Sequence, residues 1–372
     1  MHEQAAARVE LRCDAAPRSG RASRPVRRPR EVRATEGFAR SLPKAELHVH
    51  LEGTLEPDLL LELAARHHVT LPYRSPAEVR AAYRFTDLQS FLELYQANQE
   101  VLRDEEDFRR LTLAYLERAD ADGVRHAEVF FDAQAHTARG VPLGAVIEGI
   151  GAGLAEGEEL YGISARLLMC FLRDRGAAEA ERTLDEALTH VDWIDGVGLD
   201  SAERGYPPAE FITVFARARS HGLAAVAHAG EEGPAAYVRE ALDTLHVRRI
   251  DHGVHAVDDP ALVERLRRSR VALTMCPLSN VRLGVVRRLE EHPLKRLLDA
   301  GVLVTVNSDD PAYFGGYLVD NLVAVRRALG LRRRDLVRLA RNSVEASLLD
   351  DVERRRLLAE IDDFAARRDV PA

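Results

Sequence analysis

From residue 42 onward, short apolar runs of strand character alternate with longer segments of helical period, and the alternation repeats eight times. The runs fall at 46–51, 124–132, 164–172, 194–200, 223–228, 249–254, 271–276 and 303–307. The intervening pattern predicts helices over 105–122, 143–160, 177–189, 208–221, 234–245, 260–268 and 292–300. Strands separated by helices pair in parallel, because each helix returns the chain to the same end of the sheet. Eight such units suit a (β/α)8 barrel, for which about 250 residues is typical and insertions are common. The alternative is a doubly wound sheet, which ordinarily carries a Gly-rich turn after its first strand. Here the first strand runs instead into His50-Leu51-Glu52-Gly53.

The barrel is expected to fill residues 41–365 as one domain. Segment 55–103 interrupts the alternation as a helical insertion after the first strand. Within it Phe85, Leu88, Phe91, Leu92 and Tyr95 form an apolar helix face, placed either to pack on the barrel or to act as a lid over its mouth. Beyond residue 311 the chain is helical and charged. Residues 1–40 are rich in Arg, Ala and Pro without a sustained apolar period and are expected to form a disordered extension. Glu3, Glu10, Asp14, Glu31 and Glu36 argue against an organelle transit peptide there.

A net charge of −8 gives no electrostatic case for nucleic acid or an anionic membrane. No apolar run approaches the roughly 18 residues of a membrane span. Cys13, Cys170 and Cys276 are odd in number and lack CxxC spacing, which fits a reducing, cytoplasmic setting. Nothing in the pattern fixes an oligomeric state.

Functional residues of (β/α)8 barrels sit at the C-terminal ends of the strands. The first strand carries His48-Val49-His50, and residues i and i+2 of an extended chain project to one face. The fifth ends in His228-Ala229-Gly230-Glu231, the sixth in Asp251-His252-Gly253, and the eighth in Asn307-Ser308-Asp309-Asp310. His48, His50, His228 and Asp309 form a donor set suited to zinc with room for a water. A zinc-bound water ionises near neutral pH. Two-metal sites on barrels of this kind often use a carbamylated lysine on a middle strand. The only lysines are Lys44, ahead of the first strand, and Lys295, in a helical segment. One zinc per chain is therefore expected.

ELHVHLEG, HAGEEG, RIDHGV, CPLSN and NSDDPAYFGGY, in this order across residues 42–350, resemble the adenosine/adenine deaminase family of the amidohydrolase superfamily. The resemblance implies a one-zinc barrel whose metal is held by His48, His50, His228 and Asp309. It makes Glu231 the proton carrier facing purine N1, His252 the group that orients the attacking water, and Asp310 a contact to N7. The chemistry is consistent with these roles. Displacing the 6-amino group by water requires an electrophilic C6, which protonation of N1 by a partly neutral carboxylic acid provides. An Asp310 that meets a nucleoside must be protonated to donate to N7, whereas the N7–H tautomer of free adenine suits an ionised one.

Substrate choice rests on departures from the nucleoside-deaminase pattern. Those enzymes carry Asp, in contact with the ribose, where this chain has Glu52. They carry a Leu-Ala-Gly turn where this chain has Leu199-Asp200-Ser201. With the DPAYFGGY loop, these differences resemble the adenine-specific branch, with Glu52 and the bulkier strand-four turn, Ser201 included, closing the ribose pocket. The expected reaction is conversion of adenine to hypoxanthine and ammonia in purine salvage, with a small-molecule purine as the partner. The alternatives are a deaminase of adenosine or another 6-aminopurine nucleoside, or a metal-dependent phosphoester or amide hydrolase. The Gly-rich stretch 149–153 lies within a helical pattern and reads as close helix packing rather than a nucleotide loop. Ser279 and Asn280 are placed to bond groups behind the site, and His136 and His292 are expected in surface or structural roles.

Overall fold

The computed structural model describes residues 30–370. Its eight strands are β1 (Lys44–His50), β2 (Val124–Phe131), β3 (Ser164–Leu172), β4 (Gly196–Asp200), β5 (Ala224–Ala229), β6 (Arg249–His252), β7 (Ala272–Met275) and β8 (Val304–Val306). They pair in parallel in chain order. The ring closes beyond β8, where the Asp309 N–H donates to the His48 carbonyl at 3.1 Å and the His50 N–H to the Asp309 carbonyl at 3.0 Å. Sequential order with closure is the (β/α)8 barrel and excludes the doubly wound sheet, whose strand order reverses at a switch point. Every expected strand begins and ends within two residues of its observed limits.

A bulge between Glu46 and Val49 breaks the β1–β2 register. Glu46 is thereby bonded to Tyr115 of the helix Glu105–Ala121, while the His48 ring meets Phe130 edge-on and the His50 ring lies tilted against it inside the barrel. Bulges re-aim side chains in this way. Lys44 begins β1 rather than preceding it, and its ammonium is tied to the Asp122 carbonyl at the far end of the strand from His50. Lys295 lies on the helix Leu294–Asp299 and pairs with Asp299 at 2.5 Å. No lysine reaches the rim.

Between strands and helices lies one large apolar layer, and a small cluster of Phe130, Leu168, Cys170 and Val226 fills the barrel. Below it, the Arg249 guanidinium pairs with Glu128, bonds Asp251 at 3.2 Å and donates to the Leu47 carbonyl at 2.6 Å. Arg249, Glu128 and Asp251 are all buried. Removing one partner strands the other charge, so Glu128→Ala is expected to cost about 3–5 kcal/mol, read as a lowered urea midpoint.

The helices Glu105–Ala121 and Leu143–Tyr161 pack closely through glycine. A Cβ at Gly149 would sit 2.3 Å from the Glu105 carbonyl oxygen, and one at Gly157 would sit 2.1 Å from Leu116. This contact accounts for Gly149 and Gly153, while Gly151 faces the Trp193 ring, which a Cβ would meet at 2.3 Å. The insertion is three helices, Pro57–Arg66, Pro76–Ala82 and Leu88–Asn98, with Phe85 lying ahead of the last. An Asp87–Ser90 capping box starts that helix.

Of the extension expected over residues 1–40, residues 1–29 lie outside the described part, and the rest departs from the expectation. Arg30–Ser41 is a helix against Leu318–Leu329. Phe38, Ala39 and Leu42 are buried, and the Phe38 ring meets Phe364 edge-on at 5.3 Å between centroids. Those few apolar residues anchor a segment whose arginines obscured them. The helix Arg333–Ala346 covers the seam, with Ser343 accepting the Ala45 N–H at 3.1 Å and Asn342 donating to the Val304 carbonyl at 2.8 Å. Among the described residues no helix is long and apolar enough to cross a membrane.

Candidate active site

The ends of seven strands meet around one cavity. His50, His228, His252 and Asp309 lie on one side, and Asp132, Asp200, Ser201, Glu231 and Asp310 stand around it. The insertion helix Leu88–Asn98 roofs the cavity with Leu88, Phe91, Leu92, Tyr95 and Gln96. That helix docks on the loop after β8: Phe91 packs on Phe314 at 4.7 Å, and Asn98 donates to the Tyr313 hydroxyl at 3.3 Å. The apolar face expected from sequence thus both packs on the barrel end and covers its mouth.

The four expected metal ligands converge. His50 Nε2 is 3.2 Å from His228 Nε2, and Asp309 Oδ1 is 3.1 Å from His48 Nε2 and 3.6 Å from His50 Nε2. A tetrahedral zinc with bonds near 2.0–2.1 Å sets its ligand atoms about 3.3 Å apart, so the donor set fits that ion. His48 Nδ1 lies 3.2 Å from the Thr274 carbonyl and 3.0 Å from its hydroxyl. It must donate to the carbonyl, which leaves Nε2 as the free lone pair, buried and without a hydrogen bond. Thr274 in turn donates to Asp251 at 2.7 Å. His252 also joins the group, since His48, His228, His252 and Asp309 each place one ligating atom within 4.8 Å of the others.

Two of these residues have left-handed backbones, His252 at φ 62° and Asp309 at φ 65°, as does Ser201 at φ 70°. Such conformations cost non-glycine residues about 1–3 kcal/mol and persist where the surroundings over-determine them. At Asp309 the two closing hydrogen bonds to β1 provide that constraint. At Glu52-Gly53 the absence of a side chain matters, because a Cβ on Gly53 would lie 2.2 Å from Asp310 Oδ1.

Glu231 sits opposite the imidazoles, with Oε2 3.5 Å from His252 Nε2. Burial and the nearby Asp309 carboxylate push its carboxyl well above the usual range. Burial and Asp309 push Asp310 in the same direction. Asn280, one of the two residues expected behind the site, lies 3.4 Å from Glu231 Oε1 and 3.2 Å from His252 Nδ1. Its orientation is fixed from behind. The Leu294 N–H donates to His292 Nδ1 at 3.2 Å, and His292 Nε2 donates to Asn280 Oδ1 at 3.2 Å. The Asn280 amide therefore donates to His252 Nδ1 and leaves the His252 proton on Nε2, toward Glu231. His292 is buried and structural, as expected, and its structural task is to set this tautomer. Ser279 is buried, but its hydroxyl has no partner.

Glu203 was not singled out in the sequence, yet it holds the loop that carries Glu231. Its Oε1 accepts the Gly230 N–H at 2.7 Å, and its Oε2 accepts those of Glu231, Glu232 and Gly233 at 3.0, 2.9 and 2.8 Å. Glu203→Gln would turn an amide toward these donors. It is expected to lower kcat by about tenfold to a hundredfold, the scale of a displacement near 1 Å, while the affinity for metal stays unchanged. Steady-state kinetics beside metal analysis checks this.

Glu52 does not face the cavity as expected. Its Oε1 accepts the Asp132 N–H at 3.0 Å and lies 2.6 Å from His136 Nε2. Burial alone would raise its pKa, but the hydrogen bond and charge of His136 hold it lowered. His136 is therefore buried beneath Glu52, and the carboxylates in the cavity wall on this side are Asp132 and Asp200. Ser201 does line the cavity.

A parallel barrel with imidazoles and carboxylates crowded at the C-terminal rim has the architecture of metal-dependent barrel hydrolases. The sequence profile of the adenosine deaminase family matches residues 43–364, and the chain belongs to that family. It is 61% identical over 325 residues to an adenine deaminase of Streptomyces coelicolor, covering 87% of this chain and 96% of that one. A crystal structure of an adenine deaminase from Arthrobacter aurescens superposes with a TM-score of 0.86 at 50% identity, covering 87% of this chain and 99% of the other. An amidohydrolase from Burkholderia ambifaria with bound Zn superposes with a TM-score of 0.82 at 28% identity, covering 93% and 97%.

Proposed function

We propose that this chain hydrolyses adenine to hypoxanthine and ammonia with one zinc ion, as a step of purine salvage. The observation that carries the reading is the placing of Glu231 beside His252, across from the converged His48, His50, His228 and Asp309. Relatives 56–61% identical over most of the chain bear the name adenine deaminase. The unpartnered His48 Nε2, 3.1 Å from Asp309 Oδ1, supports a donor set at this pole rather than a closed hydrogen-bond network.

His48, His50, His228 and Asp309 would hold the zinc, which when bound supplies Lewis acidity and brings a water to the point of ionising near neutral pH. Glu231 delivers its proton to N1, drawing electron density from C6 and opening that carbon to the oxygen of water. The His252 Nε2–H, fixed through Asn280, orients the incoming oxygen and stabilises the charge developing on it. Asp310, packed against Gly53, holds the N7 edge. The Glu231 carboxylate takes a proton from the added water and passes it to the 6-amino group. The C6–N bond breaks, ammonia leaves, and the remaining hydroxyl proton returns to Glu231 as C6 becomes a carbonyl, with N1 keeping its proton.

The test is ammonia release from adenine, adenosine and deoxyadenosine. Adenine is expected to be preferred in kcat/KM by about a hundredfold or more. Turnover of adenosine equal to or better than that of adenine would overturn the assignment.

A further inference from the structure

Three polar oxygens in the cavity wall have no partner: Asp132 Oδ1, Asp200 Oδ1 and the Ser201 hydroxyl. The two aspartates are 4% and 3% exposed, so neither carboxylate is satisfied by bulk water. Both lie on the Nδ1 side of the His50 ring, at 3.9 and 3.7 Å, beyond hydrogen-bond length. Asp309 lies on the ring's other side, 3.6 Å from Nε2. The cavity therefore has two acidic poles separated by one imidazole.

In the purine pose proposed above, Glu231 meets N1, the imidazole cluster faces C6, and Asp310 meets N7. The edge left over is N3 with N9, and the polar groups left over are the second pole. Free adenine in its N9–H form presents a donor on that edge, which a nucleoside has replaced by its glycosidic bond. We propose that Asp132 and Asp200 determine the specificity for free base, their unpartnered oxygens accepting the N9–H of adenine. The inference rests on the purine reading above and adds residues that the HxHLEG comparison did not identify, since Glu52 is engaged by His136.

The experiment compares kcat/KM for adenine and for 9-methyladenine, which lacks the N9–H, in wild type, Asp132→Asn, Asp200→Asn and the double variant. Zinc per chain and melting temperature are measured on each. Wild type is expected to prefer adenine by about a thousandfold, as a site built around a substrate N–H does. In the double variant the preference is expected to shrink by about tenfold to a hundredfold, through KM for adenine, with zinc content unchanged. The substitutions are isosteric, so a preference set by shape would survive them, and an unchanged ratio in variants that still deaminate adenine overturns the inference alone. Loss of zinc in the variants would overturn it too, by making the pair supports of His50. A second zinc in wild type would assign Asp132, Asp200 and His50 to a cation instead. Failure of wild type to deaminate adenine at all would overturn the parent reading.

Discussion

Replacing Glu231 by glutamine is expected to lower kcat for adenine by about 10²- to 10⁴-fold, the usual worth of a positioned proton carrier. Glutamine keeps the volume, and its oxygen can still accept from Asn280, which approaches Glu231 Oε1 at 3.4 Å. The loop stays clamped as well, because Glu203 binds backbone N–H groups rather than this side chain. What is lost is only a group that can give a proton to N1, take one from the added water and pass that one to the departing nitrogen. Bound zinc and melting temperature should therefore match wild type. Burial and Asp309 set the direction of the Glu231 shift, toward a carboxyl that retains its proton. A loss of less than tenfold in kcat would mean that another group carries the proton.

The rim was legible because its chemistry is local in sequence. His48 and His50 are two apart on one strand, and His228, His252 and Asp309 each end a strand, so barrel topology alone brings them together. What sequence missed depends on long-range partners. Glu203 is an ordinary loop glutamate until the fold brings the Gly230–Gly233 amides onto it. Asp132 follows β2 with no spacing signal, and Asp200, at the end of β4, stands out in the sequence only as part of the Leu199-Asp200-Ser201 turn. Glu52 lies in a recognisable motif, but its direction is set by His136, 84 residues away. The helix Arg30–Ser41 was hidden for the opposite reason, since its packing rests on a few apolar residues within an arginine-rich stretch. The strands were found because a period of apolar burial is written along each of them.

Removing the metal with a strong chelator is expected to abolish turnover, by about 10³-fold or more, and one equivalent of zinc per chain is expected to restore it. The donor set argues for both numbers. Asp309 lies 3.1 Å from His48 and 3.6 Å from His50, and His50 lies 3.2 Å from His228, one cation's worth of nitrogen and oxygen. Without a cation, the Asp309 carboxylate is left buried among the imidazoles of His48, His50 and His252. A ligand that binds only the folded chain stabilises it by about 2.7 kcal/mol at a hundredfold its Kd. Chelation should accordingly lower Tm by roughly 5 °C in a domain of this size. The stoichiometry separates the remaining rivals. A phosphoester or amide hydrolase on this barrel is expected to bridge two metals, and neither lysine is placed to do so, because Lys44 lies at the opposite end of β1 and Lys295 on an outer helix. Recovery that requires two equivalents of zinc, with no ammonia released from adenine, would favour that rival. Full recovery at one equivalent, with ammonia released, ties the reaction to the single set of ligands that β1, β5 and β8 bring together.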